Sequence, residues 1–185
     1  LNKTDFLSIS GLGGIGLVSL ITAIANNYHK IIAIDIDDKK LKIAEKLGVN
    51  YTINPLKENL EKQILKFTKG KMIKVSLDCS GSTNSIENSF KILNSKKGKC
   101  IFCSHPPHNK KIKIDPFELI KGKKIEGSWG GKINPDLDFK KISSLLKKTN
   151  INISKFITTE YKFDEINKAI TDFKKRRIIR PIIKF

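Results

Sequence analysis

The sequence runs Phe6-Leu7-Ser8-Ile9-Ser10, then Gly11-Leu12-Gly13-Gly14-Ile15-Gly16, then a largely apolar stretch from Leu17 to Tyr28. Hydrophobic spacing changes from alternating to helical at the glycines, which predicts strand, tight turn and helix in that order. A second apolar run, Ile31-Ile32-Ala33-Ile34, ends in Asp35, nineteen residues after Gly16. Strand, GxGxxG, helix, strand and acidic residue together make a dinucleotide-binding unit. Each glycine has its own steric reason: Gly11 for a sharp exit from the strand, Gly13 for close approach of bare backbone to a pyrophosphate, Gly16 for a helix lying tight on the sheet. The new helix begins here, so its unpaired N–H groups and positive dipole end face the phosphates. Gly11, Leu12, Gly13, Gly14, Ile15 and Gly16 are therefore the candidate phosphate-binding residues.

The 185-residue chain as a whole fits that start. It is 39% hydrophobic and 29% charged, an ordinary globular composition with room for one good core. Its formal charge of +18 raises the question of nucleic acid. Only Arg176, Arg177 and Arg180 among the 36 basic residues are arginine, whereas specific base and phosphate recognition leans on arginine's bidentate fork. The lysines are spread over every predicted helix without interleaved aromatics, so a solvated basic surface is expected rather than specific nucleic-acid binding. Residues 6–29 up to His29 carry no charge, a length that could span a bilayer. The glycines and Asn26-Asn27 split that stretch, so a strand, turn and helix explain it better than a membrane span. No signal peptide is visible, and three cysteines without pairable spacing suit a reducing, cytoplasmic compartment. The opening Leu1, directly before a strand, reads as an excised fragment.

Beyond Asp35, apolar runs alternate with helical segments, the pattern of parallel strands joined by crossover helices. Expected helices cover Asp38 to Leu47 (ended by Gly48), Pro55 to Thr68, Ser82 to Leu93, a brief one from Asp115-Pro116, Pro135 to Lys148, and Asp164 to Arg176. Expected strands are Tyr51–Ile53, Ile73–Cys79, Lys99–Cys103, Lys123–Trp129, Phe156–Tyr161 and Pro181–Phe185. Leu17, Val18, Leu20, Ile21 and Ile24 are the expected buried face of the first helix, which His29 ends. Glu118 is placed to bond back to Asp115 in a capping box. The fold class is thus α/β: a doubly wound, parallel, six-stranded Rossmann sheet over 1–129, then a short α+β C-terminal segment over 130–185.

Asp35 stands where a carboxylate accepts both hydroxyls of an adenosine ribose and repels a 2′-phosphate. Asp37 and Asp38 add negative charge and no arginine follows, so NAD is expected over NADP. Cys100-x-x-Cys103-x-His105-x-x-His108 raises a metal site. Cys100 and Cys103 are an odd number apart on one strand, however, and should point to opposite faces. Buried thiols with loop histidines are expected instead. No GxSxG motif is present, and Asp78 and Asp115 have no partner at catalytic spacing.

GLGGIG at 11–16, Ile-Ala-Ile-Asp-Ile at 32–36, Ala-Glu-Lys-Leu-Gly-Val at 44–49 and Ile-Asn-Pro at 53–55 resemble the coenzyme-binding domain of zinc-dependent medium-chain alcohol dehydrogenases. The resemblance continues through Asp78–Gly81, Pro106-Pro107, Gly127–Gly131, Phe163–Asn167 and the ending Ile-Arg-Pro-Ile-Ile-Lys-Phe. It implies that Asp35 binds the adenosine ribose with help from Lys40, and that Arg180 meets the pyrophosphate. It also implies that backbone around Cys103-Ser104-His105 holds the nicotinamide carboxamide, although Ser104 and His105 depart from the family's small or aliphatic residues. The implied reaction passes a hydride between an alcohol or aldehyde and nicotinamide, with a zinc whose ligands are absent from this sequence. The fragment alone is then expected to bind NAD without dehydrogenase activity, and the resemblance implies a homo-oligomer formed through the edge strand Lys123–Trp129. A zinc-independent quinone reductase-like enzyme and a non-catalytic NAD-sensing or nucleic-acid-associated module remain as alternatives.

Overall fold

The computed structural model describes residues 2–147 and 158–185. Two compact units result, Leu1–Lys148 and Thr149–Phe185. The first is built on a six-stranded sheet: β1 (Leu7–Ser10), β2 (Ile31–Ile34), β3 (Tyr51–Ile53), β4 (Val75–Asp78), β5 (Lys99–Phe102) and β6 (Lys124–Gly127), in the order β3-β2-β1-β4-β5-β6. Every pairing is parallel, with Ser8 opposite both Ile32 and Ser76. This is the expected doubly wound sheet, and its strand order reverses between β1 and β4, where such sheets open a crevice for ligands. β1 and β2 are buried along their whole length, which is why β2 reads as an unbroken apolar run; the serines that alternate in β1 are buried with it. The two central hydroxyls satisfy each other, Ser8 Oγ donating to Ser76 Oγ at 2.8 Å. Phe6, Ile32, Ile34, Ile53, Ile64 and Phe90 belong to a buried cluster packed on the sheet.

The helices of this unit are α1 (Gly14–Ala25), α2 (Asp38–Lys46), α3 (Leu60–Thr68), α4 (Thr83–Lys91), α5 (Pro116–Ile120) and α6 (Pro135–Lys147). α1 buries Gly16, Leu17, Leu20, Ile21 and Ala23. Val18, expected on that face, is 39% exposed, because it lies about 100° around the helix from Leu17. Ile24 is only half-buried. The helix stops at Ala25, and Asn27 at φ 59° turns the chain before His29 is reached. Asn is among the few residues that adopt the left-handed region readily.

α2 ends as its sequence predicts. Gly48 at φ 94° lets its own N–H reach Glu45 O at 2.9 Å and the Val49 N–H reach Ala44 O at 3.1 Å, the two bonds of a Schellman motif. α3 begins five residues later than the Pro55 start expected. Lys57 N–H and Glu58 N–H both donate to Asn54 O at 3.0 Å in a separate turn, and the Asn59 side chain caps the helix by accepting from Lys62 N–H. Asp115 caps α5 as expected, accepting from Phe117 N–H at 2.9 Å. Glu118 does not complete a capping box; its carboxylate lies 3.2 Å from Lys121 Nζ and 2.8 Å from Lys123 Nζ.

The second unit pairs β7 (Thr158–Lys162) with β8 (Arg180–Lys184) in parallel, joined through a 3-10 turn, Phe163–Glu165, and α7 (Ile166–Lys174). Positions 156 and 157 of the expected strand, and Lys148 of the expected helix, lie outside the described residues. Within this unit, Asp172 accepts from the Tyr161 hydroxyl at 3.1 Å and from Arg177 Nη1 at 3.0 Å. Among the described residues no helix is long and apolar enough to cross a membrane.

Candidate functional site

The glycine turn sits at the C-terminal end of β1, over the point where the strand order reverses. Gly11 leaves the strand at φ 83°, and its N–H donates to Ile34 O at 2.8 Å. A methyl group on Gly11 would stand 2.6 Å from Ser80 Cα, and one on Gly16 would stand 2.0 Å from Gly11 O. Both positions exclude any side chain. Gly13 is different: a methyl there meets nothing within 4 Å. It caps α1 with no side-chain hydrogen bond, and no acidic residue follows in the first turn. The helix itself supplies no anion to its positive end, and the backbone there has open space beside it.

Asp35 is nearly fully buried, at 7% exposure. Its Oδ2 accepts from Leu12 N–H at 2.6 Å and its Oδ1 from Asp37 N–H at 2.9 Å. The carboxylate thus ties the glycine turn to the end of β2, a role that the sequence did not suggest. Each carboxylate oxygen keeps a second lone pair, so accepting capacity remains for a diol. Asp37 caps α2 by accepting from Lys39 N–H at 2.9 Å. Asp38 is paired with Lys57 and accepts from Asn54 Nδ2 at 2.7 Å. The Lys57 ammonium and then the Asn54 amide hold its carboxyl below the usual range. Of the negative charge expected here, the share from Asp38 is offset by Lys57. Lys40 lies in the first turn of α2, half-buried.

Two further loops close on the same end of the sheet. Asp78, fully buried at the end of β4, accepts at Oδ1 from Ser80 N–H (3.1 Å) and Ser80 Oγ (2.8 Å). Its Oδ2 accepts from Ser85 Oγ (2.5 Å) and Ser89 Oγ (3.1 Å). This network fixes the Ser80-Gly81 turn against the chain after β5, where a methyl on Gly81 would lie 3.5 Å from His105 O. Ser104 Oγ donates to Cys79 O at 3.0 Å. His105 is exposed, its Nδ1 lies 3.0 Å from Pro106 O, and its ring stacks with Trp129 at 6.5 Å between centroids. Cys103 is half-buried below that loop.

Gly11–Gly16, Asp35, Lys40, Cys103 and His105 thus all belong to the first unit, at the strand ends and the loops or helix starts that follow them. Arg180 belongs to the second unit, where it opens β8 and is exposed. Sequence reasoning noted Asp78–Gly81 only as part of the resemblance and gave the Ser80-Gly81 turn no place at the site, since only sheet register brings it beside Gly11; it missed Ile36, an apolar side chain 46% exposed next to Asp35. Among the described residues no three His, Cys, Asp or Glu side chains are grouped to hold a metal.

The family described as zinc-binding dehydrogenase matches residues 14–148. Alcohol dehydrogenase 1 of Pisum sativum is 27% identical over 96% of this chain and 47% of its own length. Alcohol dehydrogenase-like 5 of Arabidopsis thaliana is 28% identical over 98% of this chain and 47% of its own length. The chain therefore spans about half the length of the curated relatives it matches. Among solved structures, benzyl alcohol dehydrogenase from Acinetobacter calcoaceticus superposes with a TM-score of 0.90 at 26% identity, over 98% of this chain and 50% of that one. An alcohol dehydrogenase from the archaeon Aeropyrum pernix shares the fold at 21% identity and a TM-score of 0.76, over 95% of this chain and 48% of that one.

Proposed function

The chain belongs to the zinc-binding dehydrogenase family, and from that membership we propose that it is the NAD(H)-holding part of an alcohol dehydrogenase-like oxidoreductase. The observation that supports this reading is the construction of the glycine turn. Gly11 and Gly16 are closed to any side chain while Gly13 faces open space at an uncapped helix start, so bare backbone is presented where a pyrophosphate would lie. Gly11 to Gly16, with Leu12, Gly14 and Ile15 between them, cradle the phosphates. Asp35 accepts from the adenosine ribose, Lys40 assists it, and Arg180 supplies a cation to the pyrophosphate. Backbone around Cys103 and His105 holds the nicotinamide carboxamide. The coenzyme-binding part spans 1–129, and 130–185 is the C-terminal piece of the catalytic domain.

Bound nicotinamide would carry the hydride; this chain's residues bind and orient it. The described residues do not fit zinc, so no step passes through a metal on this chain. Zinc and the alcohol or aldehyde are assigned to parts outside this sequence, in a cytoplasmic homo-oligomer paired through the β6 edge.

NADH and NADPH fluorescence titrations test the assignment. The unchanged chain is expected to prefer NADH, and Asp35→Ser to shrink the NADH-to-NADPH affinity ratio by about tenfold, or 1.4 kcal/mol. The ratio is the proper readout, because Asp35 also anchors the Leu12 N–H and its loss weakens both ligands. An unchanged ratio removes Asp35 from the ribose site. Alcohol-dependent NADH formation by the 185 residues alone would contradict the division of labour.

A further inference from the structure

Cys79 follows β4 and Cys103 follows β5, twenty-four residues apart in sequence. In the parallel ladder Leu77 stands opposite Ile101 and Asp78 opposite Phe102. The Cys103 N–H donates to Asp78 O at 2.8 Å, carrying the ladder one residue further. Cys79 and Cys103 are therefore the next cross-strand pair. Adjacent strands lie about 4.7–4.9 Å apart, inside the roughly 4.4–6.8 Å between Cα atoms that a disulfide spans. Side chains at matched register share a face. Cys79 is buried, whereas Cys103 is half-buried.

The third thiol is excluded by parity. Cys100 is fully buried on β5, an odd number of residues from Cys103, and burial pushes its thiol up to about 12. The neighbouring Cys79 thiol holds Cys103 below the ordinary thiol range, and Cys103, with burial, raises Cys79 far above it. The thiolate is the reactive form, so the more open sulfur is also the better nucleophile.

We infer that Cys79 and Cys103 form an oxidisable dithiol, a modification site at which a peroxide closes a disulfide beneath the glycine turn. The Cys103 thiolate attacks a peroxide oxygen and breaks the O–O bond. With proton uptake, this gives a sulfenic acid and, for hydrogen peroxide, one water. The Cys79 sulfur then attacks the Cys103 sulfur and displaces hydroxide, which takes up the Cys79 proton as a second water. Two thiols are oxidised, one peroxide is reduced, and nothing else is consumed.

The site lies under the turn itself. Cys79 Cβ is 3.5 Å from the place a methyl on Gly16 would occupy, and Cys79 C is 2.9 Å from the corresponding place on Gly11. The Cys79 N–H donates to Ser10 O at 2.7 Å. Drawing Cys79 toward Cys103 moves the floor of a turn with no slack, and about tenfold weaker NADH binding is expected. This last effect rests on the coenzyme reading above; the disulfide does not.

The test treats the 185-residue chain with a slight excess of hydrogen peroxide, blocks remaining thiols with N-ethylmaleimide, and maps peptides without reduction. One cross-linked peptide joining Cys79 to Cys103 is expected, with Cys100 recovered as a free thiol. The link should be reversed by dithiothreitol and absent in Cys103→Ser. Recovery of Cys103 as sulfinic or sulfonic acid beside an unlinked Cys79 overturns the proposal, as does a link through Cys100 or between chains. NADH titration of both forms reads the effect on the site. A chain that forms the link yet binds no NADH when reduced supports the dithiol and counts against the coenzyme reading. Equal NADH affinity in both forms removes the effect on the turn.

Discussion

A methyl group at position 16 would sit 2.0 Å from the Gly11 carbonyl oxygen, while the same group at position 13 would touch nothing within 4 Å. Two single-carbon additions three residues apart should therefore separate folding from binding. Gly16→Ala is expected to cost about 1–3 kcal/mol, because neither backbone segment can yield without moving a strand end. Gly13→Ala should cost less than about 1 kcal/mol, the difference between glycine and alanine as a cap. Urea melts followed by circular dichroism measure both. NADH affinity should fall for Gly13→Ala even though its melt barely moves. A melt for Gly16→Ala that matched the unchanged chain would mean that the turn has room it does not show.

Among the elements, α2 and α7 illustrate opposite ways of fixing a helix: one by backbone geometry at Gly48, the other by a charge on its inner turn. Asp172 on α7 is held below the ordinary carboxyl range by the Arg177 guanidinium and then by the Tyr161 hydroxyl, against burial that raises it. A folded-state value below the unfolded one contributes stability that is fully present above the unfolded value and lost as pH falls through the folded one. The Asp172→Asn variant should therefore melt earlier than the unchanged chain at neutral pH, with the gap closing below about pH 4. Thermal melts between neutrality and strong acid check this; a gap that stayed constant would show that Asp172 acts by shape and not by charge. The sequence made β1, α1 and β2 legible because period, glycine spacing and the closing acid all agree there. It misplaced the start of α3, since Pro55 resembles a first-turn proline, yet the Asn54 turn and the Asn59 cap decide locally. It could not reveal the Cys79–Cys103 pair or the second task of Asp35, because both depend on register between strands distant in the chain.

For the molecule as a whole, a formal charge of +18 has to be held on a small fold. The ion pairs seen are mostly single contacts at the surface, which contribute little each. Like-charge repulsion should dominate, so the thermal midpoint is expected to rise as sodium chloride screens it up to about 0.15 M. A midpoint that fell with salt would mean that attractive pairs outweigh the repulsion. The strand order has a further consequence, in time. β1 is central and needs β4 on one side, but the partners Ser8 and Ser76 are 68 residues apart. At ribosomal speeds of about 5–20 residues per second, that edge of β1 waits on the order of seconds for its neighbour. Such long-range parallel pairing is slow to form once available. During that interval Leu7 and Ile9, both later buried in the core, are the surface through which a nascent chain would stick to others.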